Sequence, residues 1–142
     1  ECCVAATADG RVLLNARDWS GRFCRVVQRS SDGGRTWGAP RHDKALIEPR
    51  PQGCQGSMIS VPSGALFFAN PASSERREML TVRRSDDGGA TWSRALVLEE
   101  GPSAYSSLAL LGDGRLGVLY ERGDRISFAS IPSHAEGPLG SF

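Results

Sequence analysis

The sequence contains one octapeptide twice, as Ser30-Ser-Asp-Gly-Gly-Arg-Thr-Trp37 and as Ser85-Asp-Asp-Gly-Gly-Ala-Thr-Trp92, with six of the eight residue types in common. Its Asp-Gly-Gly core supplies a side-chain acceptor for turn amides and two residues free to adopt positive φ, as a tight hairpin requires. The Thr-Trp that follows returns to a strand with a large ring available to cover the turn. The copies begin 55 positions apart, at 30 and 85, which is near the spacing of β-propeller blades and unlike that of helical solenoids. The octapeptide therefore indicates a repeated structural hairpin.

The bulk composition excludes several classes of function. With 142 residues, the chain has the size of one ordinary domain and can bury a core. Its 17 basic and 16 acidic residues give a net charge of +1, so no bulk field directs it to nucleic acid or to an anionic membrane. No run approaches the roughly 18 apolar residues of a membrane span. The chain opens on Glu1-Cys-Cys3 instead of a methionine and an apolar leader, so we expect a fragment whose targeting segment lies upstream.

The cysteines and histidines do not form a metal or disulfide pattern. Four cysteines are too few and too irregularly spaced for a disulfide scaffold or a zinc site: Cys2, Cys3, Cys24 and Cys54. We expect buried or half-buried free thiols, and the alternative is a disulfide from Cys24 to Cys2 or Cys3 if the protein is exported. His42 and His134 have no ligand-spaced partner and are expected in solvated loops. We therefore expect no metal and no organic cofactor.

Short apolar segments between turn residues predict strands along most of the chain, with almost no helical periodicity. The expected strands are 4–6, 11–17, 23–29, 58–61, 65–69, 79–83, 95–98, 106–111, 116–120 and 126–130. The stretch 38–56, which holds three prolines, is expected to be irregular. Turn signals every 8–12 residues are typical of a sandwich, a barrel or a propeller, and the octapeptide repeat favours the propeller. The sequence thus predicts an all-β fold of about three blades.

Three blades are about half of a closed ring. Radial closure is what protects the flanking faces of propeller blades. A chain of three blades exposes two such faces, so we expect a longer polypeptide that supplies a missing N-terminal half, or association with another copy.

The octapeptide resembles the Asp box of the sialidase (neuraminidase) family, and five ordered segments extend the resemblance from Glu1 to about Ser130. The first segment resembles the one that carries the catalytic glutamate and the second carboxylate-binding arginine, and the second resembles a segment of the animal sialidases. The third resembles the loop of the third arginine, the fourth the nucleophile strand, and the fifth the strand that follows it. In that order they are Glu1-Cys-Cys-Val4 with Leu14-Asn-Ala-Arg17; Glu48-Pro49 with Pro51-Gln-Gly-Cys-Gln-Gly-Ser57; Phe67-Phe-Ala-Asn-Pro71 with Arg77; Gly101-Pro-Ser-Ala-Tyr105-Ser-Ser-Leu108; and Leu119-Tyr-Glu121. The resemblance implies a six-bladed β-propeller, with residues 1–142 as roughly its last three blades and Asp boxes at 30–37 and 85–92.

The resemblance further implies an exo-α-sialidase that removes terminal sialic acid from glycoproteins, glycolipids or oligosaccharides. Arg17 and Arg77 are the candidates for binding the substrate carboxylate, because a guanidinium offers a planar, permanently charged fork. Tyr105 is the candidate nucleophile, since a neutral phenol is not repelled by that carboxylate, and Glu1 is its candidate base. The family binds the substrate carboxylate with three arginines, the binding triad, and the resemblance implies that Glu121 is a supporting residue that pairs with one of them.

Each assignment has an alternative. Tyr105 can be a packed strand aromatic, Arg17 a surface arginine paired with Asp18, and Glu121 an exposed acid at a strand end. A shift of one residue would exchange Arg77 for Arg76. Gln52 and Gln55, which lie in the segment similar to animal sialidases, either contact substrate or cap loop amides.

The family also uses a first arginine near its N-terminus and an aspartate as general acid/base, and no matching motif occurs in this chain. We expect both in an upstream half and expect the isolated chain to be inactive or nearly so. The alternative functions are a non-catalytic module that binds sialylated glycans and a structural Asp-box repeat protein. The sequence does not specify a compartment, although the resemblance to animal sialidases slightly favours a lysosomal or other intracellular one.

The Glu1–Arg17 pairing depends on the register of the first hairpin. If 8–10 is a three-residue loop, the residue numbers of each facing pair add up to 18, and Glu1 lies opposite Arg17. With a two-residue turn, the residue numbers of each facing pair add up to 19, and Glu1 lies on the opposite face of the sheet from Arg17. A shared catalytic orientation therefore predicts the three-residue loop.

Overall fold

Strands and turns account for the described part of the chain, residues 1–133 of a computed structural model, in which the side chain of residue 94 is also left undescribed. The ten strands are β1 (Cys2–Ala6), β2 (Val12–Ala16), β3 (Cys24–Ser30), β4 (Arg41–Ile47), β5 (Ser57–Ser60), β6 (Leu66–Pro71), β7 (Glu78–Ser85), β8 (Ser93–Leu110), β9 (Leu116–Arg122) and β10 (Arg125–Ile131). This part of the chain holds no helix that is long and apolar enough to cross a membrane. His134 lies outside the described residues.

The strands form three consecutive antiparallel sheets, which we call blades. Blade 1 contains β1 to β4 in order. Blade 2 contains β5, β6, β7 and residues 93–102 of β8, and blade 3 contains residues 103–110 of β8 with β9 and β10. The innermost strands contact each other, β1 with β5 and β5 with β8. The blades are therefore arranged side by side around a common axis, as expected for part of a propeller.

The same hairpin joins the first two strands of every blade. In blade 1 the amide of Thr7 donates to the carbonyl of Arg11 at 2.8 Å and the amide of Gly10 to the carbonyl of Thr7 at 3.0 Å. Residues 61–65 and 111–115 make the same two bonds in blades 2 and 3. The third loop residue is glycine each time, with φ between 80° and 87°, a region that other residues rarely enter. The recurrence at 7, 61 and 111 gives a second repeat that matches the blades.

The repeated octapeptide closes the outer hairpins of blades 1 and 2. In the second copy Asp87 accepts bonds from the amide and the hydroxyl of Thr91, at 2.9 and 2.5 Å. The hydroxyl of Ser85 donates to Asp87 at 2.7 Å and accepts the amide of Gly89 at 2.7 Å. The first copy makes the equivalent bonds around Asp32. These bonds confirm the octapeptide as a structural hairpin.

The box tryptophans cover the turns. A Cβ added at Gly34 or Gly89 would lie 3.6 or 3.5 Å from the ring of Trp37 or Trp92. Trp92 directly precedes β8, and its ring also packs on Phe68, with the centroids 5.8 Å apart. The second box thus contributes to the core between blades 1 and 2.

Two apolar clusters fill the spaces between the blades, and β6 contributes to both. Leu66 and Phe68 face blade 1, whereas Phe67 and Ala69 face blade 3. All six residues of β6 are buried. Because side chains alternate between the two faces of a strand, a continuous apolar run is required where both faces are covered.

The structure corrects four expectations. Residues 41–47 form β4 within the stretch expected to be irregular, and His42 is a half-buried residue of that strand. The pattern of β4 does not alternate, because four polar residues precede three apolar ones and its pairing with β3 shifts register between Cys24 and Arg25. The segments expected as separate strands, 95–98 and 106–111, belong to one strand, β8, because Gly101 and Pro102 stay extended where the chain passes between blades. All four cysteines are free, as expected, but Cys2 is exposed.

Candidate active site

The first hairpin places Glu1 and Arg17 side by side. Cys2 pairs with Ala16, and the amide of Arg17 donates to the carbonyl of Glu1 at 2.9 Å. Facing positions therefore sum to 18, which confirms the three-residue loop. Arg17 Nη1 donates to Glu1 Oε2 at 2.6 Å, and the arginine side chain is only 5% exposed. Arg17 is thus a largely buried cation paired with Glu1 and not with Asp18.

Tyr105 reaches the same carboxylate from the inner strand of blade 3. Its hydroxyl donates to Glu1 Oε1, while Arg17 holds Oε2. The carboxylate therefore bridges a phenol and a guanidinium. The tyrosine ring is partly exposed, at 38%, so it lines an open surface and is not a packed strand aromatic. Tyr105 and Glu1, which we call the dyad, are 104 positions apart in the sequence.

These contacts set the protonation states of the dyad. The hydrogen bonds from Tyr105 and Arg17 lower the pKa of Glu1. The bond to Glu1 and the loss of solvent raise the pKa of Tyr105, although the charge of Arg17 acts in the opposite direction. An ionised carboxylate thus faces a protonated phenol. This is the arrangement that a general base requires next to a nucleophile.

Arg77 approaches Tyr105 from the loop before β7. Its Cζ lies 5.8 Å from the centroid of the tyrosine ring, and its Nη2 donates to the carbonyl of Gly53 at 3.5 Å. The neighbouring Arg76 turns away and binds Glu78 Oε2 at 2.5 Å, with its side chain 80% exposed. Of the two consecutive arginines, the structure brings Arg77 to the dyad.

Glu121 lies on β9, beside the candidate nucleophile. Its Oε2 accepts the backbone amide of Tyr105 at 3.0 Å. Glu121 and Arg77 also line one cavity, together with Ser103. The structure therefore brings all five sequence-predicted site residues together.

The loop 48–56, between blades 1 and 2, supplies polar groups to the site. The carbonyl of Gln52 accepts Arg17 Nε at 2.7 Å, and Gln55 Oε1 accepts the amide of Ser106 at 3.0 Å. Both glutamines therefore satisfy donors of the protein itself.

A buried polar cluster that the sequence analysis missed lies beneath this loop. Arg25 Nη1 donates to Glu48 Oε1 at 2.7 Å and Arg25 Nε to Asn15 Oδ1 at 2.6 Å. All three residues are fully buried. The available signal was the position of Arg25 in strand β3, between Cys24 and Val26. No group of three or more histidine, cysteine or acidic side chains within residues 1–133 is arranged to hold a metal ion.

Comparison with known proteins finds one family and many relatives. The profile of the BNR repeat-like domain matches residues 1–118. A sialidase of Micromonospora viridifaciens is 39% identical over 133 residues, which cover 87% of this chain and 20% of the relative. Sialidase-2 of Cricetulus griseus is 33% identical over 140 residues, which cover 85% of this chain and 36% of the relative.

Solved structures agree with the sequence relatives. The structure of the Hadza microbial sialidase Hz136 superposes with a TM-score of 0.83 at 36% identity, covering 94% of this chain and 27% of that protein. This chain therefore spans 20% to 36% of the length of the two curated relatives described above.

Proposed function

Because this chain belongs to the sialidase family and carries its BNR repeat-like domain, we propose that it is the C-terminal half of the catalytic domain of an exo-α-sialidase. Its substrates are glycoproteins, glycolipids or oligosaccharides that end in sialic acid. The observation that carries this proposal is the chain of contacts from Tyr105 through Glu1 to Arg17, with Arg77 against the tyrosine ring.

Arg17 and Arg77 bind the carboxylate of the substrate. Arg17 uses Nε and one Nη1 hydrogen on protein acceptors, and Arg77 uses one bond to Gly53. Each guanidinium carries five N–H donors, so both retain donors for an anion. The bonds to the protein fix the plane of each fork before substrate arrives, which limits the entropy lost on binding.

Tyr105 attacks the anomeric carbon of sialic acid. Its phenol oxygen forms the bond to that carbon, its proton passes to Glu1, and the bond to the leaving-group oxygen breaks. Because the pKa of Tyr105 is raised and that of Glu1 is lowered, the phenol stays protonated until its oxygen bonds to carbon. The proton is therefore transferred within the reaction step.

The covalent glycosyl-tyrosine is then hydrolysed by water: the oxygen of the water bonds to the anomeric carbon, the general acid/base aspartate takes its proton, and Glu1 returns a proton to the departing phenol oxygen. Two displacements at one carbon give net retention of configuration. Glu121 supports the nucleophile by accepting the hydrogen bond of its backbone amide.

The remaining machinery lies outside this chain. The first arginine of the triad and the aspartate that protonates the leaving group belong to an upstream half of the same domain. That half, or a second copy of the chain, covers the free faces of blades 1 and 3.

The test is Tyr105→Phe in the full-length protein, with a fluorogenic α-sialoside as substrate. Loss of the phenol oxygen should lower kcat by on the order of 10³-fold or more. The melting temperature should change little, because the ring and its packing are kept. NMR of the wild-type reaction should show the α-anomer of sialic acid as the first product.

Two outcomes contradict the proposal. Near-normal turnover by the variant would show that another group is the nucleophile. Tight binding of sialosides by the wild type without any turnover would indicate the alternative, a non-catalytic sialoglycan-binding module.

A further inference from the structure

We propose that Glu48 is a positioning residue that acts through the loop 48–56. It orients Arg17 and Arg77, the two arginines proposed to bind the substrate carboxylate, which we call the carboxylate clamp. This inference rests on the proposed sialidase function. Glu48 lies below the surface on which Tyr105 is exposed, and it acts through Arg25 and through the backbone of the loop.

The pair of Glu48 and Arg25 is completely removed from water. Their side chains are 1% and 0% exposed, with Oε1 and Nη1 2.7 Å apart. Replacing a buried ion pair by apolar side chains of similar volume is often neutral for stability or stabilising, because desolvation costs about as much as the pairing gains. Stability alone therefore does not account for this pair, whereas a requirement for one defined geometry does.

Glu48 and Arg25 each form a hydrogen bond to the backbone near Arg17 or within the loop. Glu48 Oε2 accepts the amide of Asp18, the residue directly after Arg17, at 2.9 Å. Arg25 Nη1 donates to the carbonyl of Cys54 at 2.8 Å. The loop also packs directly on the carboxylate, since a Cβ added at Gly53 would lie 2.9 Å from Glu48 Cδ. The pair thus fixes the loop from beneath and the strand end from the side.

Two consecutive residues of the loop then contact the two arginines. The carbonyl of Gln52 accepts Arg17 Nε at 2.7 Å, and the carbonyl of Gly53 accepts Arg77 Nη2 at 3.5 Å. One rigid segment therefore sets the planes of both guanidinium forks. A small displacement of the loop would misalign both forks together, while Tyr105 stays on β8 and Glu1 directly before β1.

The test compares inhibitors that differ only in their charge. The inhibition constant of the 2,3-unsaturated glycal of sialic acid, relative to that of its uncharged carboxamide, reports the carboxylate clamp alone. In the full-length protein, Glu48→Gln keeps the side-chain volume but leaves Arg25 buried without an anion. We expect the preference for the acid over the amide to fall by about 10-fold or more, with the amide binding nearly unchanged.

Glu99→Gln is the matched control. Glu99 also binds an arginine, Arg122, and accepts a backbone amide, that of Gly101 at 2.9 Å, and both partners lie outside the loop 48–56. The control should keep the wild-type preference. Gly53→Ala should reproduce the loss without removing a charge, because its Cβ meets the Glu48 carboxylate and its φ of 67° strains an alanine, so that the loop shifts. It carries the test if Glu48→Gln does not fold.

An unchanged acid preference in both Glu48→Gln and Gly53→Ala, in a wild type that hydrolyses sialosides, overturns this inference and leaves the proposed function intact. Failure of both variants to fold also overturns it, because the cluster would then serve the fold. A full-length wild type that neither binds nor hydrolyses sialosides refutes the proposed function, and this inference with it.

Discussion

At the residue scale, neighbouring groups distinguish the proposed site residues from others of the same type. Tyr105 is an ordinary phenol until Glu1 accepts its hydrogen bond, and Glu1 is fixed in turn by Arg17. Arg76 and Arg77 have the same chemistry and adjacent positions, but only Arg77 lies against the tyrosine ring. The proposed roles of these residues therefore follow from their position.

The two consecutive arginines allow a direct test of the carboxylate clamp. Arg77→Lys keeps the positive charge but loses the planar fork, and with it an oriented hydrogen bond worth about 1.5–3 kcal/mol. At about 1.4 kcal/mol per decade, kcat/KM should fall roughly 10- to 150-fold.

Arg76→Lys is the control for this prediction and should leave kcat/KM almost unchanged, because Arg76 forms an exposed pair with Glu78. Both variants are measured in the full-length protein with the same fluorogenic sialoside. The opposite order of effects would assign the clamp to Arg76.

At the element scale, the Asp boxes are hairpins in which the aspartate accepts hydrogen bonds from the serine and threonine of the same box. Burial raises the pKa of the Asp87 carboxyl, but the bonds from the hydroxyl and amide of Thr91 outweigh it and lower the pKa to about 2. The second box also joins two blades, because a Cβ at Gly89 would lie 2.4 Å from a methyl group of Leu13. The box is therefore a structural element of the interface between blades 1 and 2.

Asp87→Ala should lower the free energy of unfolding by about 1–2 kcal/mol at neutral pH, since the amide and hydroxyl of Thr91 lose their acceptor. A carboxyl whose pKa is depressed in the folded state stabilises above its unfolded pKa, and this contribution disappears as the pH falls towards its folded pKa. The difference between wild type and variant should therefore be constant near neutrality and shrink between about pH 4 and pH 2. Chemical denaturation of the full-length protein across this range measures it.

Asp86→Ala is the matched control for the box. Asp86 is the adjacent residue and forms an exposed pair with Arg84 at 2.6 Å, an interaction that contributes little to stability. Equal losses in the two variants would contradict the structural role assigned to the box aspartate.

At the scale of the whole molecule, this chain is a three-blade part of a sialidase-type β-propeller, and both outer blade faces are apolar. Val4, 55% exposed, pairs with Leu14 on the free face of blade 1. Leu119 and Phe128, 49% and 61% exposed, pair on the free face of blade 3. Exposed apolar surface of this kind marks an interface with another part of a protein.

The isolated 142-residue chain should therefore self-associate at micromolar concentration and show no measurable hydrolysis of sialosides. Leu119→Lys combined with Phe128→Lys should weaken the association, which sedimentation velocity measures. Asp124→Lys, a charge change in the exposed β9–β10 turn, is the control and should leave it unchanged. A monomer at all concentrations would contradict this prediction.

Local chemistry explains how much of the structure the sequence predicted. The boxes, the glycine turns and the register of the first hairpin all depend on residues within a few positions of each other. Strand β4 was missed because its polar and apolar residues do not alternate and its pairing with β3 shifts register. The continuity of β8 was missed because Gly101 and Pro102 are usual strand breakers. The Arg25–Glu48 cluster was not predictable, since its partners are 23 positions apart and meet only when the loop packs against blade 1.

The sequence alone determined the all-β class, the blade repeat, the family and the residue types of the candidate site. These follow from turn chemistry and from ordered motifs, which a linear pattern records. The tertiary structure decided which of two arginines faces Tyr105, that one carboxylate joins the phenol to Arg17, and that a buried ion pair lies under the loop between them. Those relations depend on how three blades pack around one axis, where residues 104 positions apart come into hydrogen-bonding contact.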